Sequence, residues 1–320
     1  MAYLTKFTTL GFKIETTPYT AETLVQANYA LPCENISVSL DLPTQDLKYA
    51  RGDYSLDGLS TGTRTGKITF DVPMYYSGTP ATAPEYFKLL QACGMAQTVH
   101  TTTGVSLATH SDYSNVPITI ECQKTNEGTS PNSVVYKFSG CTGEEKISAG
   151  KVGEYCKISF EFTGVLVQIV DRAIGSYITP SFAHYQPEVF LSCGVTLFGN
   201  AQQISMFNFA MNNTVELFPD QSKTAGYQGA HITNRGPTIE IDPDLLALAT
   251  DDHYSRFFNN TKGAFLAQLS GRISLSAPQV QIKEVYNLSE REGHYANKIV
   301  LACCRSSGND EFEIIHGSKT

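Results

Sequence analysis

The sequence predicts a mainly β protein of two tandem sandwich or barrel domains, each carrying one short flanking α-helix and a long loop. Three observations predict it. Apolar residues recur at every second position in short runs, the pattern of half-buried strands. Charged residues are sparse at 17% while Thr, Ser, Asn and Gly are frequent, which suits strands and tight turns. A motif also occurs twice. Gly66, six residues and Pro73 lead to Tyr86-Phe87-Lys88-Leu89-Leu90; Gly236, six residues and Pro243 lead to Tyr254-Ser255-Arg256-Phe257-Phe258. A chain of 320 residues, 41% of them hydrophobic, can bury two cores. The duplication divides it into 1–170, a linker at 171–187, and 188–320. A repeated β unit points to assembly around an axis or along a line.

Taken in order, residues 1–30 read as a polar, aromatic arm with one short strand. Ile36, Val38, Leu40 and Leu42 alternate with polar residues and predict a half-buried strand. Residues 43–66 are rich in Gly, Asp, Ser and Thr and read as a long loop or hairpin. Its Leu47, Tyr49, Tyr54, Leu56 and Leu59 suggest a partner surface. A strand at 67–72 follows. Pro84 and Glu85 open a helix whose apolar face holds Tyr86, Phe87, Leu89, Leu90 and Cys93, and Gly94 ends it. Strands are expected around 118–122, 134–138, 144–148 and 158–162. The second half predicts strands at 207–211, 215–217 and 239–241, with a polar loop at 219–236 and a helix near 252–262. Further strands follow near 266–269, 273–275, 280–282, 298–304 and 312–314. Tyr254, Phe257 and Phe258 are expected to pack that second helix as Tyr86, Phe87 and Leu90 pack the first.

Motifs for chemistry are missing from the sequence. It has no G-x-x-x-x-G-K-S/T loop and no G-x-S-x-G elbow. The eight Cys form no C-x-x-C pair and read as reduced, mostly buried thiols, and the seven His show no ligand spacing. Acidic pairs such as Glu144-Glu145 and Asp251-Asp252 read as solvated turns. The lack of Trp speaks against sugar subsites. No catalytic, cofactor or metal site is expected. A net charge of −8 disfavours gripping phosphate backbones. No secretory signal or membrane-length apolar run is read.

Several short motifs, in one order along the chain, carry a resemblance. Ala83-Pro84-Glu85-Tyr86-Phe87-Lys88-Leu89-Leu90-Gln91-Ala92-Cys93-Gly94 resembles the helix of phage tail tube proteins. Gly140-Cys141-Thr142-Gly143, Ala149-Gly150 and Phe160-Glu161-Phe162-Thr163-Gly164 are similar to that family's turns and strand. So are Ser276-Ala277-Pro278 and the stretch from Gly308 to Ile314. The resemblance covers most of 34–315, while the second half lacks a clear Gly-x-x-Gly turn.

The resemblance implies tail-tube-like domains that join edge to edge into a ring. Rings would stack into the tube of a virion tail, assembled in the bacterial host cytoplasm, and DNA would pass through the lumen without specific binding. Implied partners are further copies of the chain, the tape measure protein, the tail terminator and the baseplate or distal tail proteins. Duplication favours three chains per ring over six. Leu47, Tyr49, Arg51, Tyr54, Leu56, Leu59 and Arg64 in the first loop, and Asp220, Lys223 and Tyr227 in the second, become candidates for contact with the next ring. A net acidic lumen is expected. Alternatives are a terminator or distal ring component, or a carbohydrate-binding β-sandwich module or adhesin.

Overall fold

The computed structural model describes residues 3–49, 55, 57–100, 102–110, 116–126, 132–172, 186–269, 271–291 and 293–318. Only the backbone is described at 3–6 and 286–289. The fold is mainly β. The first half comprises β1 (Tyr3–Ile14), β2 (Glu34–Asp41), β3 (Thr44–Leu47), β4 (Gly58–Thr61), β5 (Thr65–Pro73), α1 (Phe87–Ala92), β6 (Met95–His100), β7 (Gly104–Thr109), β8 (Ile118–Asn126), β9 (Ser133–Lys151) and β10 (Lys157–Arg172). The second comprises β11 (Gly194–Leu197), β12 (Asn200–Ala201), β13 (Met206–Ala210), β14 (Thr214–Pro219), β15 (Tyr227–Asn234), β16 (Thr238–Ile241), α2 (His253–Phe258), β17 (Lys262–Leu269), β18 (Ile273–Arg291), β19 (His294–Cys304) and β20 (Glu313–Gly317).

The halves repeat one topology. In the first, antiparallel pairing runs β1-β8-β9-β10-β5-β2. In the second it runs β11-β17-β18-β19-β16-β13. Each repeat places a two-stranded hairpin at the same point in the chain, β3–β4 between β2 and β5, and β14–β15 between β13 and β16. Each follows its β5 or β16 equivalent with a six-residue helix.

Two ladders join the repeats. β13 lies against the end of β9, with Phe209 opposite Ile147 and Ala210 opposite Lys146. β20 lies between β18 and β7. One core runs through both repeats. Phe70, Phe160 and Phe162 cluster within it at centroid separations of 5.4, 5.9 and 5.7 Å. Phe209 stacks on Phe312, and the buried His316 ring of β20 meets Phe87 of α1 at 4.8 Å.

Several expectations change. The arm at 1–30 contains a twelve-residue strand, β1. β6 and β7 were not legible. Gly140-Cys141-Thr142-Gly143 is no turn: it lies inside β9, where the register shifts and Gly140 takes φ +59°. Ile273–Arg291 is one strand passing through Pro278. The polar loop at 219–236 shrinks to a turn at 220–226, because Tyr227–Asn234 is β15. β10 runs on to Arg172, inside the expected linker, and 173–185 lie outside the described residues. The duplicated Gly-to-Pro motif is out of phase by one residue. Phe70 points into the core, whereas Glu240, at the same spacing, points out between buried Ile239 and Ile241.

Candidate assembly surfaces

The pairing β2-β5-β10-β9 continues through β13-β16-β19-β18, so eight strands share one sheet. One face of it is core. The other is polar, because strand side chains alternate. A single row crosses the sheet: Asp71 opposite Ser159, Ser159 opposite Lys146, Lys146 opposite Ala210, Ala210 opposite Thr238, and Thr238 opposite Ala302.

Carboxylates neutralise four of the lysines on this face, while Lys151 and Lys283 stand exposed. Lys67 meets Glu161 at 2.6 Å, Lys157 meets Asp71 at 3.1 Å, Lys146 meets Glu144 at 3.5 Å and Lys298 meets Glu240 at 2.8 Å. Asp71 also accepts hydrogen bonds from Ser159 and Asn35. Together these hold its carboxyl below the usual range despite partial burial.

The junction of the repeats is tightly closed. Asn213 donates to the carbonyls of Cys93 and Gly143, at 2.7 and 3.0 Å. β15 crosses β9 where two glycines meet, so that a Cβ on Gly140 would lie 2.8 Å from the Gly229 Cα. Ile232 of β15 sits over Gly94, just past α1. Within this junction Glu145 is fully buried, with the buried Cys93 thiol of the α1 end beside its carboxyl. Burial raises its carboxyl to about 8.

The sheet has an open edge at each end. Among the described residues β2 pairs with β5 alone. β18 pairs with β17 only as far as Gln281 on that side, and no strand among the described residues pairs with 283–291 there. On β2, Ile36, Val38 and Leu40 are half-buried and Leu42 is 48% exposed. Their counterparts on β13, Phe207, Phe209 and Met211, are buried.

The apolar residues at the turn ends of the two repeats also match. Val152, Tyr155 and Leu191 are exposed beside the β9–β10 connection, and Leu246, Leu248 and Tyr295 are exposed near the β18–β19 connection. Leu245 N–H donates to the Tyr295 carbonyl there, at 2.9 Å.

Of the residues expected to contact the next ring, Tyr49 and Leu59 are exposed, Arg64 is exposed and Leu47 is half-buried. Arg51, Tyr54 and Leu56 lie outside the described residues. Asp220 accepts from the Ser222 N–H and hydroxyl at 2.8 and 2.6 Å, which fixes the β14–β15 turn. Lys223 is exposed on that turn and Tyr227 is half-buried. The two segments meet in one chain: Arg64 N–H donates to the Ala225 carbonyl at 3.1 Å, and Thr63 packs on Gly226.

Tyr86, Phe87 and Leu90 are fully buried. Tyr254 and Phe257 are half-buried, but Phe258 is 75% exposed and does not pack its helix. The reason is positional. Elements of the second repeat cover the end of α1, while nothing among the described residues does the same for α2. The acidic pairs expected as solvated turns are not so at Glu145, which is buried inside β9, or at Asp251, which is buried against Gln202 and Arg256. Sequence reasoning missed the β18 edge and the turn-end apolar residues. A run of exposed apolar residues at equivalent turns was the one available signal, and it emerges only once the repeats are aligned by topology.

Among the described residues, no group of three His, Cys, Asp or Glu could hold a metal ion, and no helix is long and apolar enough to cross a membrane. No protein-family model matches the chain, and no curated protein matches it in sequence.

Proposed function

We propose that this chain is a structural protein whose copies join side by side into rings, and whose rings stack into a hollow tube of the phage tail-tube kind. The observation that carries this reading is the sheet: two equal repeats are already joined by a ladder, and the joined sheet ends in two open edges of the same kinds. A heterologous contact repeated around an axis closes into a ring, and closure removes the exposed edges that invite random aggregation. Three copies are favoured, each supplying two repeats. Twenty-four strands at about 4.8 Å spacing would give a barrel roughly 40 Å across its backbones, wide enough for a nucleic-acid duplex.

The polar face is the proposed lining. Four of its lysines are paired with carboxylates, and the net acidic lumen expected from the sequence remains part of the proposal. Such a lining would offer a sliding polyanion few free cations. The apolar groups at the turn ends are the proposed axial contacts, in place of the two hairpins. The proposed setting is a virion tail, with the tape measure, terminator and distal tail proteins as partners. No catalytic role is proposed.

Electron microscopy of the purified protein over a concentration series tests this reading. Rings or tubes with a central hole and three copies per turn are expected. A monomer at every concentration, above all one that binds glycans, would replace the reading with that of a carbohydrate-binding module.

A further inference from the structure

The junction inside the chain also predicts the junction between chains. On the reading of a ring-forming protein, we infer that β2 and the β3–β4 hairpin of one copy clasp β18 and α2 of the next, as β13 and the β14–β15 hairpin clasp β9 and α1 within the chain. The hairpin is then a lateral clamp and not a stacking arm.

The equivalences rest on positions in the fold. β8 pairs β9 only up to Cys141, and β13 then takes the same edge at 146–151. β17 pairs β18 up to Gln281, leaving 283–291 as the matching vacant edge. β13 has its counterpart in β2, whose outer edge is unpaired among the described residues. In the internal clasp Ile232, six residues before β16 begins, rests on Gly94, two residues past α1. Leu59 stands six residues before β5 begins, and Asn260 two residues past α2. Gly94 and Asn260 both take positive φ, at +93° and +53°, so the two helices end in the same left-handed turn.

The same superposition accounts for three exposed groups at once. Ala92, the last residue of α1, is buried, whereas Phe258, the last residue of α2, is 75% exposed. Leu59 is 58% exposed and Leu42 48%. Exposed apolar groups at positions that are covered in the other repeat mark a surface awaiting a partner. The occupant that fits is a second copy of the chain, because the first repeat carries the counterparts of β13 and of the β14–β15 hairpin, the second-repeat strands that close over β9 and the end of α1. Docking β2 on 283–291 would continue the antiparallel ladder and bury Ile36, Val38 and Leu40 as Phe207, Phe209 and Met211 are buried now.

The test uses the full chain. L59C and N260C, alone and combined, are treated with a short bis-maleimide under assembly conditions. The native chain, with its own cysteines and the same treatment, serves as the control. The double variant should give covalent oligomers up to a closed ring, with the peptide that spans position 59 of one copy linked to the peptide that spans position 260 of another. Each single variant should stay at the native background. F258D, at an exposed position, should keep its circular dichroism spectrum and melting temperature while ring formation drops at least tenfold. Rings that form without the cross-link between positions 59 and 260, or F258D that assembles like the native chain, would overturn the clasp and leave the ring-forming reading standing. A native chain that stays monomeric throughout would remove both.

Discussion

β13 and β2 hold the same place in their repeats and live in different surroundings. β13 has a strand on each side, and its Phe207 and Phe209 are buried. Among the described residues β2 has one neighbour, and its inward residues are only half-buried. The difference lies in what comes next along the sheet, since both strands alternate apolar and polar residues. An edge strand so patterned is unfinished by itself, because a free ladder edge exposes a row of N–H and C=O groups. The finished junction therefore shows what the open edge lacks.

The largest expected effect breaks the finished junction. F209D places a charge in the core where Phe209 stacks on Phe312. It should destabilise the fold by about 4 kcal/mol or more, read by chemical denaturation. The matching V38D on β2, where Val38 is only half-buried against the core, should cost less than F209D and abolish ring formation, read by light scattering. Equal destabilisation by both would mean that β2 is as complete as β13.

Next comes pH. Burial raises the Glu145 carboxyl from its ordinary 4.5 to about 8. Between those values the folded chain keeps a proton that the unfolded chain releases, so stability falls as pH rises. Burial lowers His316 from 6.5 to about 3. There the unfolded chain takes up a proton that the folded chain refuses, so stability falls as pH drops through that window. E145Q should remove a slope of up to about 1.4 kcal/mol per pH unit on the alkaline side while the acid slope remains. H316Q should do the reverse, in urea titrations from about pH 4 to 8. Slopes unchanged in both variants would contradict these burials.

The smallest effect concerns the polar face. E161Q removes the carboxylate beside Lys67, an exposed ion pair worth only about 0–1 kcal/mol. Folding should be nearly unchanged. Retention of DNA by assembled particles should rise modestly and fall again with added salt. Retention equal to native would mean that this face does not meet the polyanion.

Much of this fold was legible because alternation is a local property. Ile68, Phe70 and Val72, and likewise Ile158, Phe160 and Phe162, announced their strands and their inward face. Asp252, which accepts from Ser255 N–H at 2.8 Å, caps α2 as sequence rules expect. β7 was not legible because its alternation rests on two large apolar residues, Val105 and Leu107, too short a run to mark a strand. The Gly140–Gly143 stretch imitated a turn because a bulge and a turn both use a glycine at positive φ. The duplication was visible as spacing but misaligned by one residue. Strand order aligns it correctly, and strand order depends on contacts far apart in sequence. The open edges were invisible for the same reason, since a strand's sequence does not say whether a neighbour follows it.

Hydrogen exchange tests the central claim most directly. Amides of β2 and of 283–291 should exchange fast in the dilute chain and slow by at least tenfold on assembly, approaching the protection of β13. Particles in which β2 and 283–291 exchange as fast as in the free chain would contradict the account.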